Sequence, residues 1–511
     1  MRVFLISLMF ISIPGAGVAQ TTTQLGTGAL EKVFVDSVAR HETVKGSGIA
    51  VAVLKDRKLF YTGALGLRDR AAATPVTVDT VFSIGSSTKA FTSMALAMLA
   101  ERNSVRLDVP VRQYLADFFL RDPTAQAAAT LEDILSHRTG VPRHDALWAL
   151  GPFNRVELVH RLRYLDPIPL PAQGFRRSFQ YNNMMYSVAA YVLETVTGER
   201  WEDFVQTNIL NPLQMRKTSW SLAQFMRETY RAKGYQGEKE LLPFDLDNIG
   251  PAGIINANVR DLANWVFLHL NRGMTPSGTR IVQAASLDQM YEPYITSDPE
   301  RGETYGLGWF VLRDQGKRFL HHGGNALGYT AFVSLMPDDG VGMAVLTNQH
   351  NSDLAWSVAC DLYLHLLPEV ANAFCRTAKV ARFDSIDIMP ESKAEPAPTA
   401  LPQLNATVST TPPPSDYTGM YSNEGYGDIS VSVRGNRLYM SYYQHSWPLT
   451  PANVDIYVFP LEAFGTSHPR VPVIFSRPSS SGQVDKLAIP LEPKLAIPPE
   501  PAVGFIRFTK R

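Results

Sequence analysis

The 511-residue chain contains only two cysteines and no excess of charge of either sign. Lysine plus arginine and aspartate plus glutamate both number 48, so the formal net charge is zero. Nucleic-acid-binding proteins normally carry a basic patch or run, so we expect no nucleic-acid partner. Cys360 and Cys375 do not form a C-x-x-C pair, which argues against a redox or zinc role. Pairing in an oxidising compartment and two separate buried thiols remain equal alternatives.

Long apolar runs are missing too, apart from one at the N-terminus. Residues 1–19 have the pattern of a signal peptide, with Arg2 before a short apolar run over 3–13 and small residues ending at Ala19. That run is shorter than the ~20 residues of a spanning helix, although an uncleaved anchor is the alternative. We therefore predict an exported protein, periplasmic or secreted, with no membrane span after removal of the signal.

The order of the apolar patterns predicts the architecture of a first domain over 30–368. A valine-rich hairpin over 48–62 is followed by a helical middle, in which 91–101 and 186–196 are predicted helices. Strand character then returns over 318–347. Strands at both ends with helices between them favour a mostly antiparallel sheet flanked by helices.

A composition shift separates this domain from a second one. Prolines recur over 369–415 and end in the run 412–414, which predicts a linker without a regular core. Apolar and polar residues then alternate over 429–433 and again over 438–442. Residues 416–511 are therefore predicted to form a small all-β domain.

Ser86 and Lys89 form the first chemical motif, at the start of the predicted helix 91–101. Residues three apart on a helix share a face, so the lysine ammonium can lie beside the serine hydroxyl. Serine is a weak nucleophile until a base removes its proton, and a desolvated lysine can be that base. Alone, S-x-x-K is a weak signal. No G-x-S-x-G elbow surrounds Ser86, so the α/β-hydrolase fold is not supported.

Two later segments strengthen this interpretation. Tyr181 and Asn183 stand just before the second predicted helix, and 321–324, with the sequence His-His-Gly-Gly, lies among the returning strands. Each has a plain alternative: Tyr181 as a packed aromatic residue, Asn183 as a helix cap, and His321 as an ordinary strand histidine. The functional hypothesis depends on all three segments occurring in this order.

In this order the segments resemble those of the penicillin-recognising serine hydrolases, where S-x-x-K, Y-x-N and a K-T-G or H-x-G segment meet around one pocket. This family includes class C β-lactamases, D-Ala-D-Ala carboxypeptidases, D-aminopeptidases and related esterases. The segments 131–140 and 209–213 also look familial. The resemblance implies an α/β fold of the α+β type, a β-lactamase-like antiparallel sheet flanked by helices. The tail resembles the small barrel-like domains appended to some D-peptidases.

The resemblance also implies roles for individual residues. Ser86 would be the nucleophile and Lys89 its base. Tyr181 would take or return the proton on the leaving group, and Asn183 would hold the substrate amide or the Lys89 side chain. His321 would stand where β-lactamases usually have lysine.

The two glycines of the third segment complete the predicted site. Gly323 and Gly324 would let a substrate lie against the backbone, and the N–H groups of Gly324 and Ser86 would form the oxyanion hole. A histidine at 321 is charged only below about neutral pH. That difference from lysine weakens the case for β-lactamase activity and for recognition of a free carboxylate.

We therefore predict a secreted serine hydrolase that acts through an acyl-enzyme on peptide, amide or ester bonds, including those of D-amino-acid peptides. The alternatives are a β-lactamase or penicillin-binding carboxypeptidase on the same site, and a non-catalytic binding protein that keeps the fold. The expected partner is a small molecule or short peptide. No cofactor is expected, and no histidine–carboxylate pattern indicates a metal site. The sequence does not indicate an oligomeric state.

Overall fold

The computed structural model describes residues 28–165, 174–375, 412–463, 466–477, 484–490 and 505–511. The predicted signal peptide and most of the predicted linker lie outside these ranges. Within them, no helix is both long enough and apolar enough to cross a membrane.

All α-helices within the described ranges belong to the first domain. Their bounds are α1 Gly28–His41, α2 Lys89–Glu101, α3 Pro123–Ala128, α4 Leu131–Leu135, α5 Asp145–Leu150, α6 Arg155–Arg161, α7 Asn183–Thr197, α8 Trp201–Val205, α9 Leu222–Arg227, α10 Gly250–Gly253, α11 Val259–Leu270, α12 Ala284–Met290, α13 Leu354–Leu366 and α14 Pro368–Cys375.

The strands divide between the two domains. Those of the first are β1 Ile49–Lys55, β2 Lys58–Leu65, β3 Leu67–Asp69, β4 Thr74–Pro75, β5 Phe82–Ser83, β6 Gly234–Gln236, β7 Lys239–Leu241, β8 Asn256–Ala257, β9 Ile295–Asp298, β10 Glu303–Tyr305, β11 Phe310–Asp314, β12 Lys317–Ala326, β13 Tyr329–Met336 and β14 Val341–Thr347. Those of the second are β15 Gly419–Asn423, β16 Gly427–Arg434, β17 Arg437–Tyr442, β18 His445–Asn453, β19 Ile456–Ala463, β20 Thr466–Ser476, β21 Lys486–Pro490 and β22 Phe505–Lys510.

An eight-stranded antiparallel sheet forms the centre of the first domain, in the order β2-β1-β14-β13-β12-β11-β10-β9. β1 pairs with its hairpin partner β2 on one side and with β14 on the other, where Ile49 lies opposite Thr347. The first and the last strands of the domain therefore lie side by side. This confirms the predicted antiparallel sheet with strands from both ends of the domain.

The two faces of this sheet are covered by different helices. Alternate residues of β1 point to opposite faces: Ile49 and Val51 pack with α1 and α13, whereas Ala50 and Ala52 join the core that includes α2, α7 and α11. Helix α2 is buried on nearly every side, from Lys89 to Leu99. A helix in that position is apolar all round, which explains why its sequence shows no polar stripe.

A disulfide closes the end of the first domain. Cys360 in α13 is bonded to Cys375 at the end of α14, with Cα atoms 5.6 Å apart. Of the two alternatives that the sequence left open, the paired one is observed. The boundary predicted at 368 is too early, because α14 continues to Cys375 and packs on α13. Residues 376–411 of the predicted linker lie outside the described residues.

The second domain is a closed antiparallel barrel of β15 to β22, in which β15 also pairs with β22. Along β16, Ile429 and Val431 are buried while Ser430 and Ser432 are partly exposed. This period of two gives the barrel its apolar interior. The predicted small all-β domain is thus confirmed.

Candidate active site

The turn that carries Ser86 lies against β12 with no room for intervening side chains. Ser86 belongs to a short 3₁₀ turn over Gly85–Thr88 that leads directly into α2. A Cβ atom at Gly324 of β12 would lie 1.9 Å from the carbonyl oxygen of the residue before the turn. A Cβ atom at Gly85 would lie 2.6 Å from the carbonyl oxygen of Asn325, and Gly85 has a φ of +49°. Glycine is therefore required on both sides of this contact.

The hydroxyl of Ser86 lies between two groups that can exchange a proton with it. Nζ of Lys89 is 3.0 Å from Oγ, and the phenol of Tyr181 donates to Oγ at 2.8 Å. All three side chains are buried. The structure thus brings three of the predicted site residues into one hydrogen-bonded group, with the reach that general acid–base catalysis needs.

Lys89 is held by partners on three sides. Its Nζ donates to Oδ1 of Asn183 at 2.8 Å and to the carbonyl oxygen of Ala252 in α10 at 3.0 Å. It also lies 4.5 Å from the ring centroid of Tyr181. A fully buried ammonium requires such compensation. Of the two contacts predicted for Asn183, the structure shows the one with Lys89.

The segment with Tyr181 and Asn183 is fixed by the residue between them. Asn182 caps α7 by accepting from the N–H of Met185, and its amide donates to the carbonyl oxygen of Pro142 at 2.6 Å. Its main-chain N–H donates to Nδ1 of His137 at 3.2 Å. The cap is therefore Asn182, and Asn183 is the first residue inside the helix.

His137 is a functional neighbour whose role the sequence did not indicate, although it lies in the segment noted as familial. Its ring centroid is 4.3 Å from that of Tyr181. Burial holds the pKa of His137 well below 6.5, and the positive charges of Lys89, His322 and Arg143 lower the pKa further. The imidazole is therefore neutral, and because Nδ1 accepts, its proton is on Nε2.

The prediction of His321 as the site histidine is wrong. Side chains alternate along a strand, and Gly324 of β12 faces the Ser86 turn. His322, two residues earlier, shares that face, and His321 points to the other. Nε2 of His322 lies 2.9 Å from the phenol oxygen of Tyr305, a residue that the sequence did not indicate.

His321 instead belongs to the buried interior on the other side of the sheet. Its ring lies 5.8 Å from that of Trp356 in α13, and its Nε2 is 3.0 Å from Oε2 of Glu303. Burial would raise the pKa of Glu303, but the hydrogen bond and charge of His321, together with Arg301, hold that pKa below its usual range. His321 is therefore a hydrogen-bond partner of a buried carboxylate and does not face the nucleophile.

The backbone of β12 also shifts the predicted oxyanion hole by one residue. A two-residue loop, 327–328, joins β12 to β13, and the pair flanking such a loop is hydrogen-bonded. Hydrogen-bonded pairs recur at every second residue of β12, so the main chain of Gly324 bonds to β13. The N–H groups of Gly323 and Asn325 therefore point to the opposite edge of β12, toward β11. The pairing with β11 ends at His321, so β11 does not pair with these two N–H groups. The candidate oxyanion pair is therefore Ser86 with Asn325, and Gly324 provides the close contact.

Arg143 is a further residue that the sequence did not indicate. Its guanidinium lies 5.1 Å from the ring centroid of Tyr181, and its Nε is 2.5 Å from Oδ2 of Asp145. The side chains of Lys89 and Arg143 therefore both lie close to the ring of Tyr181. Over the described ranges, no cluster of three histidine, cysteine or carboxylate side chains has a metal-binding arrangement.

The chain is similar in sequence to known proteins over most of its length. Residues 35–358 match the family model described as Beta-lactamase, and residues 405–501 match a domain of unknown function (DUF3471). The unguisins hydrolase ungD' of Aspergillus campestris is 31% identical over 414 residues, which cover 75% of this chain and 74% of that protein. Penicillin-binding protein 4 of Amycolatopsis lactamdurans is 25% identical over 352 residues, covering 66% and 88% of the two chains.

Solved structures share the fold. The octameric penicillin-binding protein homologue from Pyrococcus abyssi superposes with a TM-score of 0.58 at 21% identity, covering 95% of this chain and all of that one. A class C β-lactamase from Rhodobacter sphaeroides gives a TM-score of 0.55 at 22% identity over 66% of this chain and 99% of its own.

Proposed function

Because the chain belongs to the β-lactamase family of serine hydrolases, we propose that it cleaves peptide, amide or ester bonds through an acyl-enzyme on Ser86. The observation that carries the proposal is the position of Oγ of Ser86, 3.0 Å from Nζ of Lys89 and 2.8 Å from the phenol of Tyr181. A buried serine with two proton-exchanging partners has the arrangement of an activated nucleophile.

The acylation step follows from these positions. Oγ of Ser86 bonds to the carbonyl carbon of the substrate as its proton passes to Lys89, which reacts in its neutral form. The N–H groups of Ser86 and Asn325 stabilise the oxyanion. Tyr181 donates its proton to the leaving nitrogen or oxygen, and the bond to the carbonyl carbon breaks.

Deacylation reverses these roles. Water attacks the ester carbon and gives one proton to the Tyr181 phenolate, while Lys89 returns its proton to Oγ of Ser86. The acid is released and each group regains its starting protonation state. Asn183, bonded to Lys89 at 2.8 Å, keeps the amine oriented through both steps.

The site histidine bears on the substrate. His322 is fully buried and its Nε2 is bonded to Tyr305, so the site lacks the mobile ammonium that a lysine would offer to a free carboxylate. We therefore propose amides and esters, including D-amino-acid peptides, as better substrates than their free-acid counterparts. The relative named unguisins hydrolase supports a hydrolytic activity.

β-Lactam hydrolysis or binding is the second candidate. It is supported by the relative named penicillin-binding protein 4, which covers 66% of this chain. Nitrocefin turnover and labelling by a fluorescent penicillin test it on the same serine. Both would depend on Ser86 if they occur.

Export is part of the same proposal. The signal-like pattern of residues 1–19 supports it, and the Cys360–Cys375 disulfide fits an oxidising compartment. Sequencing the N-terminus of the mature protein tests it, with a start near Gln20 as the expected result. An intact Met1 in exported protein would contradict it.

The proposed activity is tested with Ser86→Ala and a control, Ser93→Ala, on the same helix. Ser93 is buried without a hydrogen-bond partner among the described residues, so its loss should leave activity intact. We expect Ser86→Ala to lose fluorophosphonate labelling and hydrolysis of a chromogenic ester, while Ser93→Ala keeps both. Equal labelling of the two variants would contradict the proposal.

A further inference from the structure

The barrel domain contacts the loop that lies behind the catalytic phenol. Tyr426, between β15 and β16, is buried, and its hydroxyl is 2.9 Å from Nδ1 of His144 in the first domain. His144 stands next to Arg143, whose guanidinium lies 5.1 Å from the ring of Tyr181. Tyr426 of the barrel therefore contacts a residue, His144, whose neighbour Arg143 lies beside the ring of Tyr181.

The turn that presents Tyr426 is rigid. Oδ1 of Asn423 accepts from the N–H groups of Gly425 and Tyr426 at 2.8 and 2.9 Å. The carbonyl oxygen of Tyr426 accepts from the phenol of Tyr442 in β17 at 3.0 Å. Arg161 of the first domain donates to the carbonyl oxygen of Gly425 at 2.5 Å. Both domains therefore hold this turn in place.

The loop that receives Tyr426 needs such support. His144 has a φ of +50°, a left-handed conformation that is costly for a residue with a side chain. Immediately after it, Asp145 binds Arg143 and also accepts from the indole of Trp148 at 2.7 Å. The contact with Tyr426 thus supports a strained residue at the point where the direction of the Arg143 side chain is set.

We propose that Tyr426 is a positioning residue of the active site, which holds His144 so that Arg143 stays beside Tyr181. The proposal rests on the catalytic function proposed above. It gives the barrel a direct part in catalysis, because a cation beside a phenol favours the phenolate that Tyr181 becomes when it donates its proton.

The electrostatic surroundings of Tyr181 define the effect. Four charged or titratable groups contact Tyr181: Lys89 from α2, Ser86 from the preceding turn, His137 after α4 and Arg143 from the loop before α5. His322 of β12 lies near them, since its charge acts on His137. His137 is neutral because burial lowers its pKa. Arg143, and Lys89 once it has accepted the proton of Ser86, therefore supply the positive charge, and displacement of Arg143 should raise the pKa of Tyr181.

The test compares Tyr426→Phe with Tyr421→Phe. Tyr421 is also a buried barrel tyrosine, but its hydroxyl donates within the barrel, to the carbonyl oxygen of Tyr417 at 2.7 Å. We expect Tyr426→Phe to lower kcat on a chromogenic ester roughly fivefold, the worth of one lost hydrogen bond, with KM little changed. Tyr421→Phe should keep both parameters, whatever it does to the unfolding temperature.

Two further readouts separate positioning from a purely structural role. The limb of the kcat/KM–pH profile that reports Tyr181 should move to higher pH in Tyr426→Phe and further in Arg143→Gln. His144→Asn, which tolerates the left-handed conformation, should lose as much as Tyr426→Phe, and the double variant no more than either, because the two act through one contact.

The outcomes distinguish the two proposals. Activity and fluorophosphonate labelling that persist in Ser86→Ala would refute the proposed function. Ser86-dependent labelling and turnover that are equal in wild type, Tyr426→Phe and Tyr421→Phe, with an unshifted pH profile, would refute the positioning role alone. Equal losses in Tyr426→Phe and Tyr421→Phe would also refute it, because the effect would then belong to the stability of the barrel.

Discussion

Two adjacent histidines of strand β12 lie on opposite faces of the sheet and have different surroundings. His322 lies on the face that packs against the Ser86 turn and is bonded to the phenol of Tyr305, while His321 faces α13 and is bonded to the buried carboxylate of Glu303. Both are buried histidines with one hydrogen-bonded partner on β10. Their difference shows that the period of two decides which of two neighbouring histidines lies in the candidate site and which lies in the core on the other face of the sheet.

The largest expected effect is on the site face. His322→Ala should lower kcat/KM for a chromogenic ester by about a hundredfold, because it removes a side chain on the Ser86 face together with its contact to Tyr305, and misplacement of a substrate costs about that much. The unfolding midpoint in urea, measured on the same preparation, should change little compared with that of His321→Ala. Retention of activity above a tenth of wild type would contradict the assignment of His322 to the site.

The opposite face should respond in stability. His321→Ala leaves the buried Glu303 carboxylate with only Arg301 at 3.7 Å and the hydroxyl of Ser297 as partners, so we expect a loss of about 2 kcal/mol in the free energy of unfolding, the worth of one hydrogen bond to a charged group. The kcat of the folded protein should stay close to wild type. His321→Gln keeps a hydrogen-bond donor and should recover part of the loss. A His321→Ala protein of normal stability but reduced kcat would reverse the comparison.

The disulfide belongs to this second face, since α13 and α14 cover it. Replacing Cys360 and Cys375 together with serine should cost roughly 2–3 kcal/mol of stability, as expected for a loop of this length. The kcat should remain unchanged, because neither residue approaches Ser86. Urea unfolding with and without a reductant, beside an ester assay, measures both quantities. Loss of kcat at full folding would show that the two faces are coupled.

As pH falls, the buried histidines on the Ser86 side of the sheet should lower the free energy of unfolding before Glu303 on the other side does. Burial lowers the pKa of His269 to about 3 and holds that of His137 well below 6.5. As pH falls below ~6.5, these two histidines become protonated in the unfolded chain but stay neutral in the folded protein. The free energy of unfolding therefore drops by up to about 1.4 kcal/mol per pH unit for each histidine. The low pKa of Glu303 instead contributes stability that is lost only below ~4.5.

This order is measured by urea unfolding between pH 8 and pH 4. His137→Gln should show a slope against pH that is shallower by one proton between about pH 6.5 and 5. Glu303→Gln should differ from wild type in slope only below about pH 4.5. Identical slopes for wild type and His137→Gln would mean that the folded protein protonates this imidazole.

Most of the fold follows from local patterns, but the site does so only in part. The hairpin over 48–62, the helices and the returning strands show the apolar periodicity of their secondary structure, so each can be predicted from its own segment. Ser86 and Lys89 are three residues apart, so their contact can also be predicted locally. The order of the motifs along the chain predicted that Tyr181 and Asn183 would lie near Ser86 and Lys89, and the structure shows those contacts.

What the sequence missed depends on contacts between distant segments. The choice between His321 and His322 needs the register of β12 against the Ser86 turn, which Gly324 sets through a backbone contact. His137 and Arg143 reach Tyr181 only because Asn182 bonds to His137 and to the loop before Arg143. The contact between Tyr426 and His144 spans two domains and leaves no local pattern.

Direct trapping of the acyl-enzyme tests the central claim most sharply. Wild type is mixed with a slowly deacylated ester, quenched in acid within milliseconds, digested and analysed by mass spectrometry. We predict the mass of the acyl group on the peptide that contains Ser86, its absence in Ser86→Ala, and its slower appearance in Lys89→Met. An acyl group on another residue, or turnover without any covalent species in wild type, would contradict the account.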